Sequence, residues 1–197
     1  MMPVFATNRI DLYLFQISSV IWFVPELIST FTRNHAREAQ TRDKGSGFIL
    51  MICIYAGIFL GLFTSFSARQ FAIPWDRMLL FGTGILLILS GVAFRWYTIR
   101  VLGKFFTTVV SIQPGQTVIE KGPYRYIRHP SYSGAMLSFL GFGLALTNWL
   151  SFGLVILGIV IGYTYRVHVE EQALMDGLGQ AYRDYMQRTK RFIPFIF

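Results

Sequence analysis

The stretch 130-PSYSGAMLSFLGFGLALTNWLSFGLVILGIVIGYTY-165 carries no charged residue over 36 positions. As one straight helix it would be about 54 Å long, against a bilayer hydrocarbon core of about 30 Å. It must fold back or protrude. The polar pair Thr147-Asn148, followed by Trp149, lies at its middle. This predicts a tight helical hairpin, with Asn148 in the turn and Trp149 at the membrane interface.

Other apolar runs flank it. Residues 47–67 hold no charge over 21 positions, and 78–94 is uncharged between Arg77 and Arg95. The run 10–32 is weaker because it contains Asp11, Pro25 and Glu26. It starts too acidic, and without a small-residue cleavage site, for a signal peptide. It is expected to be a retained span, with Glu26 near its end or facing protein. The expected fold is all-α and polytopic, with five transmembrane helices near 10–32, 47–67, 77–97, 131–147 and 149–167. A single domain, 1–197, would comprise three N-terminal spans (1–100) and a catalytic region (101–197).

Composition agrees. Of the 197 residues 53% are hydrophobic and 14% charged, with mean hydropathy +0.48, where a soluble domain carries about 25% charge. This argues against a soluble globular chain and against disorder. The net charge of +8 then reads as basic loops at the cytoplasmic face and anionic lipid, not as nucleic-acid binding. Cys53 is the only cysteine, which excludes an intrachain disulfide or a thiolate zinc site and suits a small packing residue. No metal site and no obligate protein partner are expected; the bilayer is the surrounding partner.

The segments 33–46, 95–129 and 166–197 together hold 15 of the 18 basic residues; only Arg9, Arg69 and Arg77 lie elsewhere. The positive-inside rule therefore puts the C-terminus in the cytoplasm and the N-terminus outside, as an odd number of spans requires. The small-residue pairs Gly57/Gly61 and Gly158/Gly162 suit close helix packing within the chain better than a dimer face. Gly82-Thr83-Gly84 lacks the strand and the further glycine of a dinucleotide-binding loop.

Two cytoplasmic segments, 102–134 and 165–197, are too rich in glycine, proline and aromatics to be simple connectors. In the first, His129 precedes Pro130, so it avoids the helical region and sits at the mouth of the fourth span. Backbone N–H groups and the helix dipole there favour an anion. Arg125, Arg128, Tyr124 and Tyr132 keep His129 company; His35 and His168 lack it. In the second, Arg166 and Glu170 share a helix face four residues apart, while Glu171 points about 100° away. They form either an ordinary ion-paired helix start or a site for a cation, ribose hydroxyls and an anionic substrate. Leu174, Leu178, Tyr182 and Tyr185 then recur at helical intervals and predict an amphipathic C-terminal helix over about 169–188, lying across the cytoplasmic mouth. Residues 192–197 are too short to span and would pack on the protein or at the interface.

The motifs GPYRYIRHPSYSG, RVHVEEQAL and LGQAYRDYMQRTKRFIP, with the uncharged hairpin between the first two, resemble the isoprenylcysteine carboxyl methyltransferases and their bacterial and archaeal relatives. They resemble the phospholipid N-methyltransferases more loosely. The likeness runs from Leu102 to Pro194; the first three spans share only hydropathy. It implies an integral-membrane enzyme using S-adenosyl-L-methionine as cofactor. The implied cofactor contacts are Gln116, Thr117, Val118, Ile119, Tyr124, His129, Pro130, Ser131, Tyr132 and Glu170. Eukaryotic members have His where Gln116 stands. Arg166 falls where the family places an arginine facing the methyl acceptor. Glu171 completes the double-Glu pattern of the phospholipid enzymes and is a candidate base for an amine or thiol.

The cofactor's chemistry suits these residues: the helix mouth for its carboxylate, Glu170 for its ammonium or ribose diol, aromatics for adenine and sulfonium. The expected reaction methylates a carboxylate of isoprenylcysteine type or another lipophilic acceptor. Two alternatives stand beside it. One is a phospholipid, amine or thiol methyltransferase. The other is an NADPH-dependent membrane sterol or isoprenoid reductase, whose family shares RHPxYxG-like and YxxYxxR…IP-like patterns. A non-catalytic lipid-binding scaffold would leave the Arg-Glu-Glu and His-Pro groups unexplained.

Overall fold

The computed structural model describes residues 1–32 and 40–193. Its six helices are α1 (Arg9–Thr32), α2 (Ser46–Ser67), α3 (Arg77–Leu102), α4 (Pro130–Ala145), α5 (Trp149–Leu178) and α6 (Gln180–Arg188). Two short strands, β1 (Gln40–Thr41) and β2 (Ser111–Ile112), pair antiparallel with Gln40 opposite Ile112. Helices α1, α2, α3 and α5 are each long and apolar enough to cross a membrane. Helix α4 is uncharged but has 16 residues, about 24 Å of rise. Four helices therefore meet the length of a span, where the sequence predicts five.

The uncharged stretch does fold back. Thr147 takes a positive φ of 51°, and the Asn148 side chain caps α5 by accepting from Ser151 N at 3.1 Å. Its Nδ2 donates to the Ala68 carbonyl at 3.0 Å, and Ile73 N donates to the Thr147 carbonyl at 3.0 Å. The hairpin turn is thus tied to the α2–α3 connection. Asn148 is buried and Trp149 is half exposed. At the same end, Arg77 donates to the Thr147 hydroxyl at 3.2 Å and to the Met2 carbonyl. The first residues, the α2–α3 connection and the α4–α5 turn share one end of the bundle. The loop between α3 and α4 and the α6 region share the other.

Helix α3 packs along α4, α2 along α5, and α1 against α3. Small residues let these backbones touch. A Cβ added at Gly158 would lie 2.5 Å from the Cys53 carbonyl oxygen, and one at Gly84 2.6 Å from that of Gly141. Gly57, Gly61, Gly158 and Gly162 all face the α2–α5 contact, so these pairs pack the chain against itself. Ser138 Oγ donates to the Ile88 carbonyl at 3.1 Å across α3 and α4. Trp22, Phe81, Phe139 and Phe142 fill the core between α1, α3 and α4. At the start of α1, Asp11 is held by the Asn8 side chain (2.6 Å) near the positive helix end, which makes its charge tolerable.

Three boundaries differ from the sequence reading. Helix α5 continues to Leu178 instead of leaving its span near 167, and the amphipathic helix expected over 169–188 is two pieces. Gly179, at φ 59° and ψ −132°, breaks it, a conformation that side chains oppose. The separate α6 buries Tyr182 and Tyr185 on one face. Helix α3 also runs to Leu102, beyond the expected 97. His35 and the basic residues Arg33 and Arg37 lie outside the described residues, as do 194–197 of the terminal apolar segment.

Candidate active site

The site begins at the strand-like chain before α4. Arg128 N donates to the Lys190 carbonyl at 2.7 Å, His129 N to the Arg191 carbonyl at 3.0 Å, and Lys190 N to the Tyr126 carbonyl at 3.0 Å. This ladder pins the corner at His129, whose φ of −122° and ψ of 54° are non-helical, as a residue before proline must be. Pro130 opens α4, and Tyr132 N donates to the His129 carbonyl at 3.0 Å.

A cavity that opens to the outside lies beneath this corner. The α3–α4 loop supplies Gln116, Thr117, Val118 and Ile119; the α4 corner supplies Tyr124, His129, Ser131 and Tyr132; α5 supplies Arg166 and Glu170. Of the sequence-derived set, Pro130 and Glu171 do not line it. Pro130 is the buried first residue of α4. Leu174, Leu178, Tyr182 and Tyr185 close the cavity from α5 and α6; their helical spacing was the signal for a cover. Phe105 and Phe106 also line it, with no sequence signal to single them out, as does Arg128, which the sequence marked as a neighbour of His129. Burial, with Glu170 nearby, raises the Tyr124 and Tyr182 phenols above their usual value, so both are neutral donors at pH 7.

The two adjacent glutamates part company. The Glu170 carboxylate accepts from the Tyr132 hydroxyl and is the one acid lining the cavity among the described residues. Glu171 turns away from the cavity, toward Arg128, Arg191 and His129. It takes Arg128 Nε at 2.9 Å, Arg191 Nη2 at 2.9 Å and His129 Nε2 at 3.3 Å. Three partners leave it poorly placed as a catalytic base; it fixes the His129 ring and ties α5 to the C-terminal segment.

Arg166, 3% exposed, does not pair with Glu170. It donates through Nε to the Tyr132 hydroxyl at 3.2 Å, through Nη1 to Ser46 Oγ at 2.9 Å and to Asp43, and through Nη2 to the Thr108 carbonyl at 2.8 Å. Four of its five N–H groups are thus engaged by described residues. Asp43 was missed in the sequence. Burial works to raise its pKa, but the Gly47 N–H, the Arg166 charge and the Val110 N–H outweigh this and hold it below the ordinary carboxylate value.

A second cavity, about 1,340 Å³ with its mouth, adjoins the first. Its walls are Trp22 and Phe23 of α1, Phe48, Leu50, Met51, Ile54 and Tyr55 of α2, and Phe139 and Tyr163 of α4 and α5. Phe106, Thr107, Val109, Tyr132 and Arg166 line both cavities. Inside the apolar one, Glu26 binds Arg95 through Nε and, at 2.8 Å, through Nη2; Arg95 Nη1 reaches the Ser131 carbonyl at 3.0 Å. Glu26 therefore faces protein, as its sequence position suggested.

Comparison with known proteins follows the same region. The family model described as the isoprenylcysteine carboxyl methyltransferase (ICMT) family matches residues 84–176. A probable protein-S-isoprenylcysteine O-methyltransferase of Oryza sativa subsp. indica is 30% identical over 115 residues, covering 57% of this chain and 60% of the relative. The protein-S-isoprenylcysteine O-methyltransferase of Mus musculus is 29% identical over 117 residues, covering 58% and 41%. An uncharacterized protein of Bacillus subtilis is 27% identical over 89 residues, covering 45% and 53%. In these alignments the chain spans at most 60% of its relatives' length. A solved structure of the eukaryotic intramembrane Ras methyltransferase ICMT superposes with TM-score 0.58 at 22% identity, over 95% of this chain and 64% of that one. The fold likeness thus extends past the family region into α1 and α2.

Proposed function

We propose that this chain, which matches the isoprenylcysteine carboxyl methyltransferase family model over residues 84–176, is a membrane enzyme that transfers a methyl group from S-adenosylmethionine to a lipophilic carboxylate of isoprenylcysteine type. One observation carries the reading: a polar cavity and an apolar cavity share a wall at Tyr132, Arg166 and the Phe106–Val109 segment. A soluble donor and a lipid-borne acceptor would meet there.

The residues of the polar cavity fit this cofactor. S-adenosylmethionine carries one net positive charge, and Glu170 is the one lining acid among the described residues. At the start of α4 the Ser131 N–H is left for its carboxylate, since Tyr132 N and Ser133 N donate to the His129 carbonyl, and the surrounding tyrosines and phenylalanines offer faces to adenine and sulfonium. NADPH, with its phosphates, fits worse. Both arginines lining the cavity already hold a carboxylate, Arg128 that of Glu171 and Arg166 that of Asp43.

Bound, the cofactor supplies an electrophilic methyl group. The chain's work is to align it with an acceptor for in-line displacement. Glu170 and Tyr132 hold the donor side. Tyr132 also accepts from Arg166, so one hydroxyl links donor and acceptor positions. A carboxylate acceptor is already a nucleophile and needs no base. Arg166 orients it, and α1 and α2 flank its apolar tail. Glu171 is a positioning residue that holds His129 and Arg128.

The reading includes five spans, with α4 crossing as the short partner of the hairpin, and a cytoplasmic C-terminus. In a Cys53→Ser background, single cysteines at the exposed positions Gln70 and Gln180 should divide: an impermeant maleimide outside intact cells labels 70 and not 180. Labelling of 180 alone would invert the topology.

The activity is tested by supplying methyl-labelled S-adenosylmethionine and a panel of prenylcysteine, phospholipid amine and small thiol to the protein in lipid nanodiscs. Label in the prenylcysteine as a base-labile ester is the expected result. Label only in the amine or thiol contradicts the carboxylate acceptor.

A further inference from the structure

Arg166 faces the wall where the two cavities meet, yet its charge is already satisfied. Asp43 takes Nη1, Thr108 takes Nη2, and Tyr132 takes Nε. An arriving carboxylate finds one remaining N–H, and a bidentate clamp needs two. Some partner has to yield. The Thr108 carbonyl and Tyr132 hydroxyl are neutral, so a carboxylate replacing either would put two anions on one guanidinium. Replacing Asp43 exchanges one carboxylate for another and conserves charge.

Asp43 has somewhere to go. It lines the apolar cavity and also an outer groove formed with Arg42, Lys44, Gln172 and Asp176. Arg42 and Asp176 pair there at 3.5 Å. Among the described residues, and apart from Asp43, that groove holds two cations and one anion, one carboxylate short of balance. Asp43 also sits before a turn in which Lys44 (φ 48°) and Gly45 (φ 74°) are both left-handed. Besides Arg166, its side chain accepts from Ser46 Oγ at 3.1 Å, Gly47 N at 3.0 Å and, more weakly, Val110 N at 3.3 Å. Val110 directly follows the wall segment between the cavities. Its carbonyl stays fixed by Arg42 N at 2.9 Å, so release of Asp43 loosens the wall without detaching it.

We propose that Asp43 is an internal competitor for the acceptor carboxylate: it neutralises Arg166 at rest, and an acceptor carboxylate displaces it toward the groove of Arg42 and Lys44. At rest the charges that the described residues bring to the membrane cavity are then all paired, and an unpaired one would be costly there. The exchange also sets specificity. An uncharged acceptor cannot replace Asp43, so it leaves Arg166 closed and the wall in place. The proposal rests on the carboxylate-acceptor reading above and adds the residue that enforces it.

The test compares Asp43→Asn and Asp43→Glu in nanodiscs. Asparagine keeps an oxygen for Gly47 N but loses the competing charge; glutamate keeps the charge. Equilibrium binding is measured for N-acetyl-S-farnesylcysteine and for its methyl ester. The Asn variant should bind the carboxylate about fivefold or more tightly, the lower end of ordinary coupling between sites, with ester binding unchanged. The Glu variant should bind both as the wild type does. Weaker carboxylate binding in the Asn variant, or equal changes for carboxylate and ester, overturns the proposal and makes Asp43 a structural tie. Binding is read without turnover. Selective tightening without any methyl transfer would thus count against the methyltransferase reading and not against the role of Asp43.

Discussion

Replacing Glu170 by glutamine is expected to weaken S-adenosylmethionine binding by about 10- to 100-fold, the loss of one charge-assisted contact in a partly buried site. Glutamine keeps the shape and an oxygen for the Tyr132 hydroxyl, so the α4–α5 contact survives. What disappears is the one acid that the described residues contribute to a cavity that also presents Arg128 and Arg166. A cationic ligand then meets no counter-charge. His129→Ala should weaken binding less, because that ring is buried and also faces Glu171. Isothermal calorimetry on detergent-purified variants, with thermal unfolding as the check on folding, measures both. Wild-type affinity in Glu170→Gln would remove Glu170 from the cofactor site.

The larger effect on turnover is expected at Arg166. Arg166→Lys should slow methyl transfer to a carboxylate acceptor by about 100-fold or more, comparable to losing an oriented donor at a reacting centre. Lysine has one nitrogen where arginine has a planar fork. It cannot reach Tyr132, Ser46, Asp43 and the Thr108 carbonyl together. The wall segment at Thr108 then loosens, so cofactor affinity should also fall, by less than about tenfold. Single-turnover kinetics at saturating cofactor separate the two effects. Full turnover on a prenylcysteine carboxylate by the lysine variant would take the acceptor away from Arg166.

How far the chain could be read before folding depends on the sequence distance between partners. The hairpin was legible because 36 uncharged residues cannot cross a bilayer once. That fold-back brings His129 and Glu170 from opposite ends of the stretch to one cavity. The partners of Arg166 were not legible, since Asp43 lies 123 positions away, on a segment that reads simply as basic. The fates of Glu170 and Glu171 were hidden for another reason. Successive helix residues point about 100° apart, and no local pattern says which direction faces the cavity and which faces Arg128 and Arg191. The break at Gly179 lay inside an unbroken stripe of apolar residues, and periodicity alone does not show a left-handed glycine.

The most direct test of the account titrates the detergent-purified protein with S-adenosylmethionine and, separately, with NADPH in one calorimeter. The account predicts saturable binding of S-adenosylmethionine, weakened in Glu170→Gln, and no heat of binding from NADPH. Saturable NADPH binding with none for S-adenosylmethionine would contradict it.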